Sequence, residues 1–425
     1  MPLDPRPVYQ RDLPARAPTP ALRGDCRADV CVVGAGLAGT SAALHLAQRG
    51  YRVVQLEASV LGDGASGRNG GQALVGLAVG QDSLARLSSP GDARRAWDLT
   101  VEALDLLHGL CGRHGIDCDW SPGHLLLGLK ARHDTELDAL QAQLHELGYD
   151  GTVRVAHADL HAHVASVRYR SALLDRRSGH LQPLKYLLGL SRAALQAGVT
   201  LHEHSRALSW SAGNDGQLIV RTATGQVRCS QLLLAGNATL GPLAPALSRR
   251  ILGVGTYMVA TEVLGPDRAA ALLPGNAAAA DMNWVLDYFR LSRNHRLLFG
   301  GRVSYSGLDA HDSARATQRR LLAVFPQLRD VRIEHAWGGW LDITRNRAPD
   351  FGRLAPAVWY LQGFSGHGLA LTGMAGKLAA EAMAGQSERF DVFARIRHRE
   401  FPGGAALRRP ALVLAMLWYR LRDLL

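Results

Sequence analysis

The sequence predicts an α/β fold: a Rossmann-like domain into which a second domain, built on a mixed β-sheet, is inserted. Two kinds of observation predict it. Residues 28–39, 231–238 and 358–368 each run from a buried, strand-like stretch into glycines or other small residues. Between 255 and 340 the chain instead alternates strand-like stretches with turns, as a sheet-based insertion does.

The first stretch organises the rest. Ala28-Asp29-Val30-Cys31-Val32-Val33 is short, apolar and β-branched, the pattern of a strand buried on both faces. It breaks into Gly34-Ala35-Gly36-Leu37-Ala38-Gly39, followed by a helix through Gln48, a stop at Gly50, and a second strand, 51–56, that ends on Glu57. Strand, glycine turn, helix, strand and acid in this order form the dinucleotide-binding fingerprint in its structural context. Gly34 makes the tight turn, Gly36 lets backbone approach a pyrophosphate, and Gly39 lets the helix sit close on the strand. The N–H groups at the helix start face the phosphates. Glu57 suits a ribose diol, and its charge would repel a 2′-phosphate, which argues against NADP.

The other elements follow in order. Residues 1–25 read as a Pro- and Arg-rich arm with little to pack. Ala58 to Gln72 is glycine-rich, too much so for a regular helix or strand, and reads as a rigid loop where backbone passes a flat ligand. Ser66, Gly67, Arg68, Asn69, Gly70, Gly71 and Gln72 lie in it, with more directed hydrogen-bonding groups than a linker needs. Helices are expected at 92–115, 133–147, 184–197, 312–325 and 369–384, and strands at 124–130 and 199–203. An antiparallel meander is expected over 205–211, 217–223 and 226–234. Its last strand enters Ala235-Gly236-Asn237, a return to the dinucleotide site that favours FAD over NAD. Further strands are expected at 255–264, 284–291, 296–302 and 332–341. A final strand, 358–362, enters Gly363-Phe364-Ser365-Gly366-His367-Gly368, and a second helix N-terminus then points at the ligand.

Composition narrows the function classes. The chain has 425 residues, 47% hydrophobic and 20% charged, as in a globular protein of more than one domain. The net charge of +11 is spread over scattered arginines without aromatic–basic interleaving, so no nucleic-acid face is expected. Five cysteines without a CxxC pair read as reduced thiols in a cytoplasmic protein. No signal peptide and no membrane span are expected, since nothing approaches the roughly 18 apolar residues a span needs. His161/His163 and His202/His204 mimic metal-pair spacing, but no carboxylate–histidine set accompanies them, and no metal is assigned.

The residues also carry a resemblance. Asp29–Gly39, Leu56–Gln72, Gly179–Leu190, Tyr257–Glu262, Tyr288–Arg302, Trp337–Gly352, Gln362–Gly368, Phe390–His398 and Phe401–Gly404 resemble the D-amino acid oxidase and glycine oxidase superfamily of FAD enzymes, the DAO family. Within it they look most like the gamma-glutamylputrescine oxidase group. The resemblance implies a glutathione-reductase-like FAD domain formed by 26–110, 150–245 and 341–408. It implies a substrate domain formed by 111–149 and 246–340; an amphipathic C-terminal helix is expected at 409–425. It places Gly34, Ala35, Gly36, Leu37, Ala38 and Gly39 on the pyrophosphate, and Glu57 with Ala58 at the ribose. It runs Ser66–Gln72 past the flavin, brings Ala235–Asn237 near the cofactor, and sets Gly363–Gly368 against the ring and ribityl chain. Two departures matter. Some relatives attach FAD through a cysteine in the region corresponding to 337–352; none occurs here, so noncovalent FAD is expected. The sarcosine oxidase branch has a substrate-binding lysine just after the Gly-Phe-Ser-Gly-His-Gly motif, where this chain has Leu369-Ala370-Leu371.

The activity implied is oxidation of a primary or secondary amine to an imine and then an aldehyde, with O2 as acceptor. A small amino acid oxidase and a quinone-linked dehydrogenase stand as alternatives, and the oligomeric state is left open. Three residues are candidates for the chemistry. His367 is either a donor or proton relay beside the ring, or a turn residue bonding backbone. Tyr288 and Arg290 share a strand face and either position a substrate carboxylate or pack and pair within the sheet. Gln182 stands where many relatives have a second histidine.

Overall fold

The computed structural model describes residues 4–213, 215–304 and 310–402. Its strands, in chain order, are β1 Gly24–Val33, β2 Val53–Leu56, β3 Gln72–Ala73, β4 Ser121–Gly128, β5 Thr152–Val155, β6 Ser171–His180, β7 Thr200–His202, β8 Ser209–Ala212 and β9 Leu218–Arg221. They continue as β10 Gly225–Leu234, β11 Ile251–Thr261, β12 Ala278–Asp281, β13 Tyr288–Leu291, β14 Leu297–Ser304, β15 Ile333–Thr344, β16 Asp350–Ala355 and β17 Val358–Gln362.

They form two sheets. The first runs β16-β17-β10-β1-β2-β7, with β8 and β9 extending from β10 as the expected antiparallel meander. Its centre is parallel: Val30–Val33 pair with Val53–Leu56 on one side and Gln231–Leu234 on the other. Val30, Cys31 and Val32 are fully buried, which is why this strand reads as an unbroken apolar run. The second sheet runs β15-β11-β14-β13-β12-β4-β6-β3, with β5 on β6. Phe289, Phe299, Leu125, Leu127 and Ala279 lie on one of its faces, in a core shared with helix Ala310–Val324. Period-two alternation places Tyr288, Gly300, Ala278, Ala280 and His124 on the other face. That face is turned toward the 66–72 loop, because the Tyr288 ring lies directly over Gly70.

Helices Leu37–Ala47 and Leu369–Met383 pack tightly together. A Cβ at Gly376 would stand 2.5 Å from the Ala38 carbonyl oxygen and the Ala42 nitrogen, and the Ser41 hydroxyl donates to the Gly373 carbonyl at 2.7 Å. Glycine here sets the spacing of the two helices whose N-termini follow the 34–36 and 363–368 turns.

Three features differ from the sequence reading. Strands β5 and β6 pair into the second sheet and not into the first, with which the expected 150–245 segment would group them. β12 is almost all alanine and carries no β-branched residue; it is a strand because β4 and β13 pair on either side of it. The N-terminal residues are no loose arm. Val8 and Tyr9, in the short helix Val8–Arg11, are buried against Leu184, Met258 and Trp337. Further on, Arg16 pairs with the fully buried Glu203, which also accepts from Leu61 N and Thr19 N at 2.6 Å. Burial alone would push the Glu203 carboxyl up, but Arg16 and the two backbone donors outweigh it and hold the group below its ordinary value. The helix expected at 409–425 lies outside the described residues.

Candidate active site

The dinucleotide turn is built as its sequence requires. Gly34 has φ 104°, and a Cβ there would stand 2.6 Å from the Ala235 carbonyl oxygen. A Cβ at Gly39 would run into the Gly34 carbonyl oxygen, and one at Gly36 would lie 2.8 Å from Ser66 Oγ. The turn, the 235–237 segment and the start of the 66–72 loop therefore converge. Helix Leu37–Ala47 has no side-chain cap from its own N-cap residue, Gly36. Leu37 N donates to Ser66 Oγ at 3.0 Å, whereas the Ala38 and Gly39 N–H groups meet no acceptor among the described residues. Glu57 accepts from Ala35 N and Ser59 N at 2.9 and 3.0 Å, one bond per carboxylate oxygen, leaving lone pairs on both. Helix Leu369–Met383 is likewise uncapped at Gly368. A cradle that any Cβ would fill, open N–H groups and two helix N-termini fit a pyrophosphate-bearing dinucleotide.

The 363–368 turn is held from below. Asp342, 2% exposed, accepts from Gly363 N through its carboxylate and from Ser365 N, at 3.0 Å, through its carbonyl. Burial pushes its carboxyl up to about 6, against the pull of the backbone donors at 363 and 364. Ser365 sits at φ 52°, and Asn237, in the neighbouring segment, at φ 53°. Both are non-glycine residues in the left-handed region, where strain gathers at functional loops. His367 interacts through Nε2 with the Val75 carbonyl at 3.0 Å, and burial lowers its pKa, so the ring is neutral. With Nε2–H donating there, Nδ1 carries the lone pair.

The 66–72 loop spends its side chains on its own support. Arg68 donates to the Asp63 carbonyl at 2.7 Å, to Asp63 Oδ1 at 2.8 Å and to the Gly338 carbonyl at 3.3 Å. The Asn69 amide bonds Ala65 O, Ser66 O and Gly71 N. Gln72 Nε2 donates to Ala279 O at 3.0 Å.

Tyr288 and Arg290 do share a face, but they differ in availability. Tyr288 Oη has no partner among the described residues. Arg290 is 3% exposed and engaged through all three of its nitrogens: Nε to Gly70 O at 2.6 Å, Nη1 to Leu291 O at 3.1 Å and Nη2 to Tyr9 Oη at 3.2 Å. Its guanidinium secures the loop from behind, and in this geometry it is not a free fork for a substrate carboxylate. Tyr9 Oη donates to Asn69 O at 2.8 Å, its ring meets Trp337 edge-on, and Trp337 Nε1 donates to Arg68 O at 2.9 Å. Gln182 caps helix Pro183–Gln196 through Lys185 N at 2.8 Å and reaches Tyr9 O through its amide. Tyr9 was invisible to motif reading, because no local pattern marks a residue whose partners include Arg290 and Trp337, far along the chain; Asp342 lay inside a matching segment without being singled out.

Among the described residues, no group of three or more His, Cys, Asp or Glu side chains is placed to hold a metal, and no helix is long and apolar enough to cross a membrane. The Cys111 and Cys118 thiols are 3.6 Å apart, within hydrogen-bond reach, and all five cysteines are free of disulfides.

The comparison with known proteins can now be set beside this geometry. The family model described as FAD dependent oxidoreductase (DAO) matches residues 29–382. The chain belongs to the DAO family of FAD-dependent oxidoreductases. It is 40% identical over 411 residues to gamma-glutamylputrescine oxidoreductase of Escherichia coli K12, covering 96% of this chain and 95% of that protein. It is 36% identical to the probable oxidoreductase OrdL of Haemophilus influenzae, covering 93% and 92%. Among solved structures it matches glycine oxidase from Geobacillus kaustophilus with a TM-score of 0.71 at 19% identity, covering 85% of this chain and 95% of that one. L-amino acid deaminase from Proteus vulgaris gives 0.73 at 16% identity, covering 89% and 100%. At these identities the two structures establish the shared fold. This DAO-family enzyme therefore has the resident group that its turn and two helix N-termini fit, FAD.

Proposed function

We propose that this chain is an amine oxidase of the gamma-glutamylputrescine type, working in polyamine catabolism with noncovalently held FAD. The observation that carries this reading is the 40% identity to gamma-glutamylputrescine oxidoreductase, sustained over nearly the full length of both chains. In the reaction a hydride leaves the carbon beside the amine nitrogen, FAD supplies the two-electron acceptor, O2 is reduced to H2O2, and the released imine hydrolyses to an aldehyde.

The protein's part is to seat a neutral amine and manage protons. Arg290 is spent on the Gly70 and Leu291 carbonyls and the Tyr9 hydroxyl, and positions 369–371 hold no lysine; this supports an amine over glycine or sarcosine. Tyr288 Oη, free of protein partners on the sheet face toward the loop, is the hydroxyl that positions substrate. His367, fixed through Nε2, presents Nδ1 for proton handling. The absence of cysteine from 337–352 supports noncovalent attachment, and five unbonded thiols suit a reducing cytoplasm.

The test is an anaerobic titration of the purified yellow protein with gamma-glutamylputrescine, sarcosine, glycine and D-amino acids, following flavin absorbance. Bleaching by the first alone, with peroxide formed on admitting air, is the expected result. Bleaching only by a small amino acid would overturn the substrate assignment. Reduction with no peroxide in air would point to a quinone-linked dehydrogenase.

A further inference from the structure

Two of the five thiols stand within reach of a bond to each other. Cys111 lies in the last turn of helix Pro90–His114 and Cys118 just before β4, and their sulfurs are 3.6 Å apart. A disulfide holds its sulfurs about 2.0 Å apart, so closure asks for side-chain rotation and a small shift of the link between them. That link has room to shift. Gly112, Arg113, Gly115 and Asp117 are exposed, Gly115 caps the helix at φ 58°, and a Cβ at Gly112 or Gly115 would meet nothing within 4 Å. Cys111 is partly exposed, which opens the pair to a small solute, while Cys118 is buried. The hydrogen bond from Cys111 lowers the Cys118 thiol below its ordinary value, against burial and the charges of Asp117 and Asp119; the same bond, with burial, raises Cys111. Cys31 and Cys229 differ on both counts. They are fully buried, and ladders on both sides fix each strand: Cys31 pairs with Val54 and Leu232, and Cys229 with Ala28 and Leu218.

We propose that Cys111 and Cys118 form a reversible oxidation site, a dithiol that hydrogen peroxide closes to a disulfide. One thiolate attacks a peroxide oxygen and the O–O bond breaks. That sulfur becomes a sulfenic acid, and the departing hydroxide takes up a proton as water. The second sulfur, giving up its proton, then attacks the first; the S–OH bond breaks and a second water leaves. Two electrons pass from the sulfurs to the peroxide, so two thiols and one hydrogen peroxide give one disulfide and two waters. A partner 3.6 Å away captures the sulfenic acid before further oxidation, and a thiol reductant reopens the bond. The bond ties helix Pro90–His114, whose Leu104, Leu107 and Leu110 share a core with Val30 and Val32 of β1, to the segment that enters β4 in the second sheet. Oxidation therefore adds a covalent tie between elements of the two layers.

The inference rests on the amine-oxidase reading only for a native source of peroxide, and its test adds the peroxide directly. FAD-loaded, reduced wild type is treated with an equimolar amount of hydrogen peroxide, alkylated, and digested without reductant. Arg113 lies between the two cysteines, so trypsin separates them and only a disulfide keeps their peptides together. The expected result is a linked pair carrying Cys111 and Cys118 and the loss of two hydrogen masses from the intact protein. Alkylatable thiols should fall from five to three, and dithiothreitol should reverse every change. Cys111→Ser and Cys118→Ser, shown to be folded by FAD content and melting temperature, should yield no linked pair. Five thiols left intact in wild type, a link through any other cysteine, or a linked pair in either variant overturns the site. A wild type that links the pair under added peroxide, yet forms no peroxide from gamma-glutamylputrescine in air, supports the site and counts against the oxidase reading.

Discussion

Two glycine-rich segments, the 34–39 turn and the 66–72 loop, are built on opposite principles. The 34–39 turn is local: six residues, three glycines, and the strand and helix they join supply nearly all the geometry. The 66–72 loop is held from a distance. Tyr9, Gln182, Arg290 and Trp337 come from the N-terminal helix, from the start of helix Pro183–Gln196 and from two strands of the other sheet, and they meet behind it. The comparison teaches that a phosphate grip can be written in a short motif, because backbone N–H groups and missing side chains do the binding. A surface for a flat ring must be braced, and its braces are scattered through the chain.

Substitutions can break or sharpen that contrast. The largest effect is expected from Gly39→Ala. Its methyl would collide with the Gly34 carbonyl, a rigid backbone neighbour, and overpacking of this kind costs about 1–3 kcal/mol. The protein should purify without FAD, and a normal absorbance ratio of flavin to protein would show that the turn is more pliable than its geometry states. Next is Arg290→Met, which takes the charged donor from the half-buried Gly70 carbonyl and the buried Leu291 carbonyl at about 2–3 kcal/mol. Melting temperature should fall and FAD should dissociate more readily, even though no atom of Arg290 need touch the cofactor. Tyr9→Phe keeps the edge-on contact with Trp337 and loses only the hydroxyl, so about 1 kcal/mol is expected, with a small loss of FAD affinity. If Tyr9→Phe and Arg290→Met prove strictly additive, the two do not act as one brace.

A pH-dependent effect concerns Asp342, under the 363–368 turn. Its carboxyl is raised from 3.8 in the unfolded chain to about 6 in the fold. Between those values the native state holds a proton that the unfolded state has released, so this group makes stability decline as pH rises through about 4 to 6. Asp342→Asn should remove that part of the decline, measured as the difference between wild-type and variant urea midpoints across the window. An unchanged difference would mean that the carboxyl ionises in the fold as it does in water.

The glycine turn, the meander, the long helices and the last strand were legible because each is defined by neighbours a few residues apart. Val358–Gln362 was readable to the residue, since a buried parallel strand is an apolar run with sharp ends. Ala278–Asp281 was not, because alanine carries no strand preference and only β4 and β13 make it one. Arg290 was read as a candidate for substrate, but its engagement was not legible, since the Gly70 carbonyl it bonds lies 220 positions earlier. The same distance hid Tyr9, whose value depends on Asn69 and Trp337. His180 was quoted within a matching segment, yet its unpartnered nitrogen appears only when Asn276 is placed beside it.

The N-terminal segment has a consequence for synthesis. Val8, Tyr9 and Arg16 leave the ribosome long before Glu203, Arg290 and Trp337, against which they settle. They therefore wait, unplaced, while the strands that carry their partners are made. The 66–72 loop is thus braced by a segment that is synthesised before it but can lock only after it.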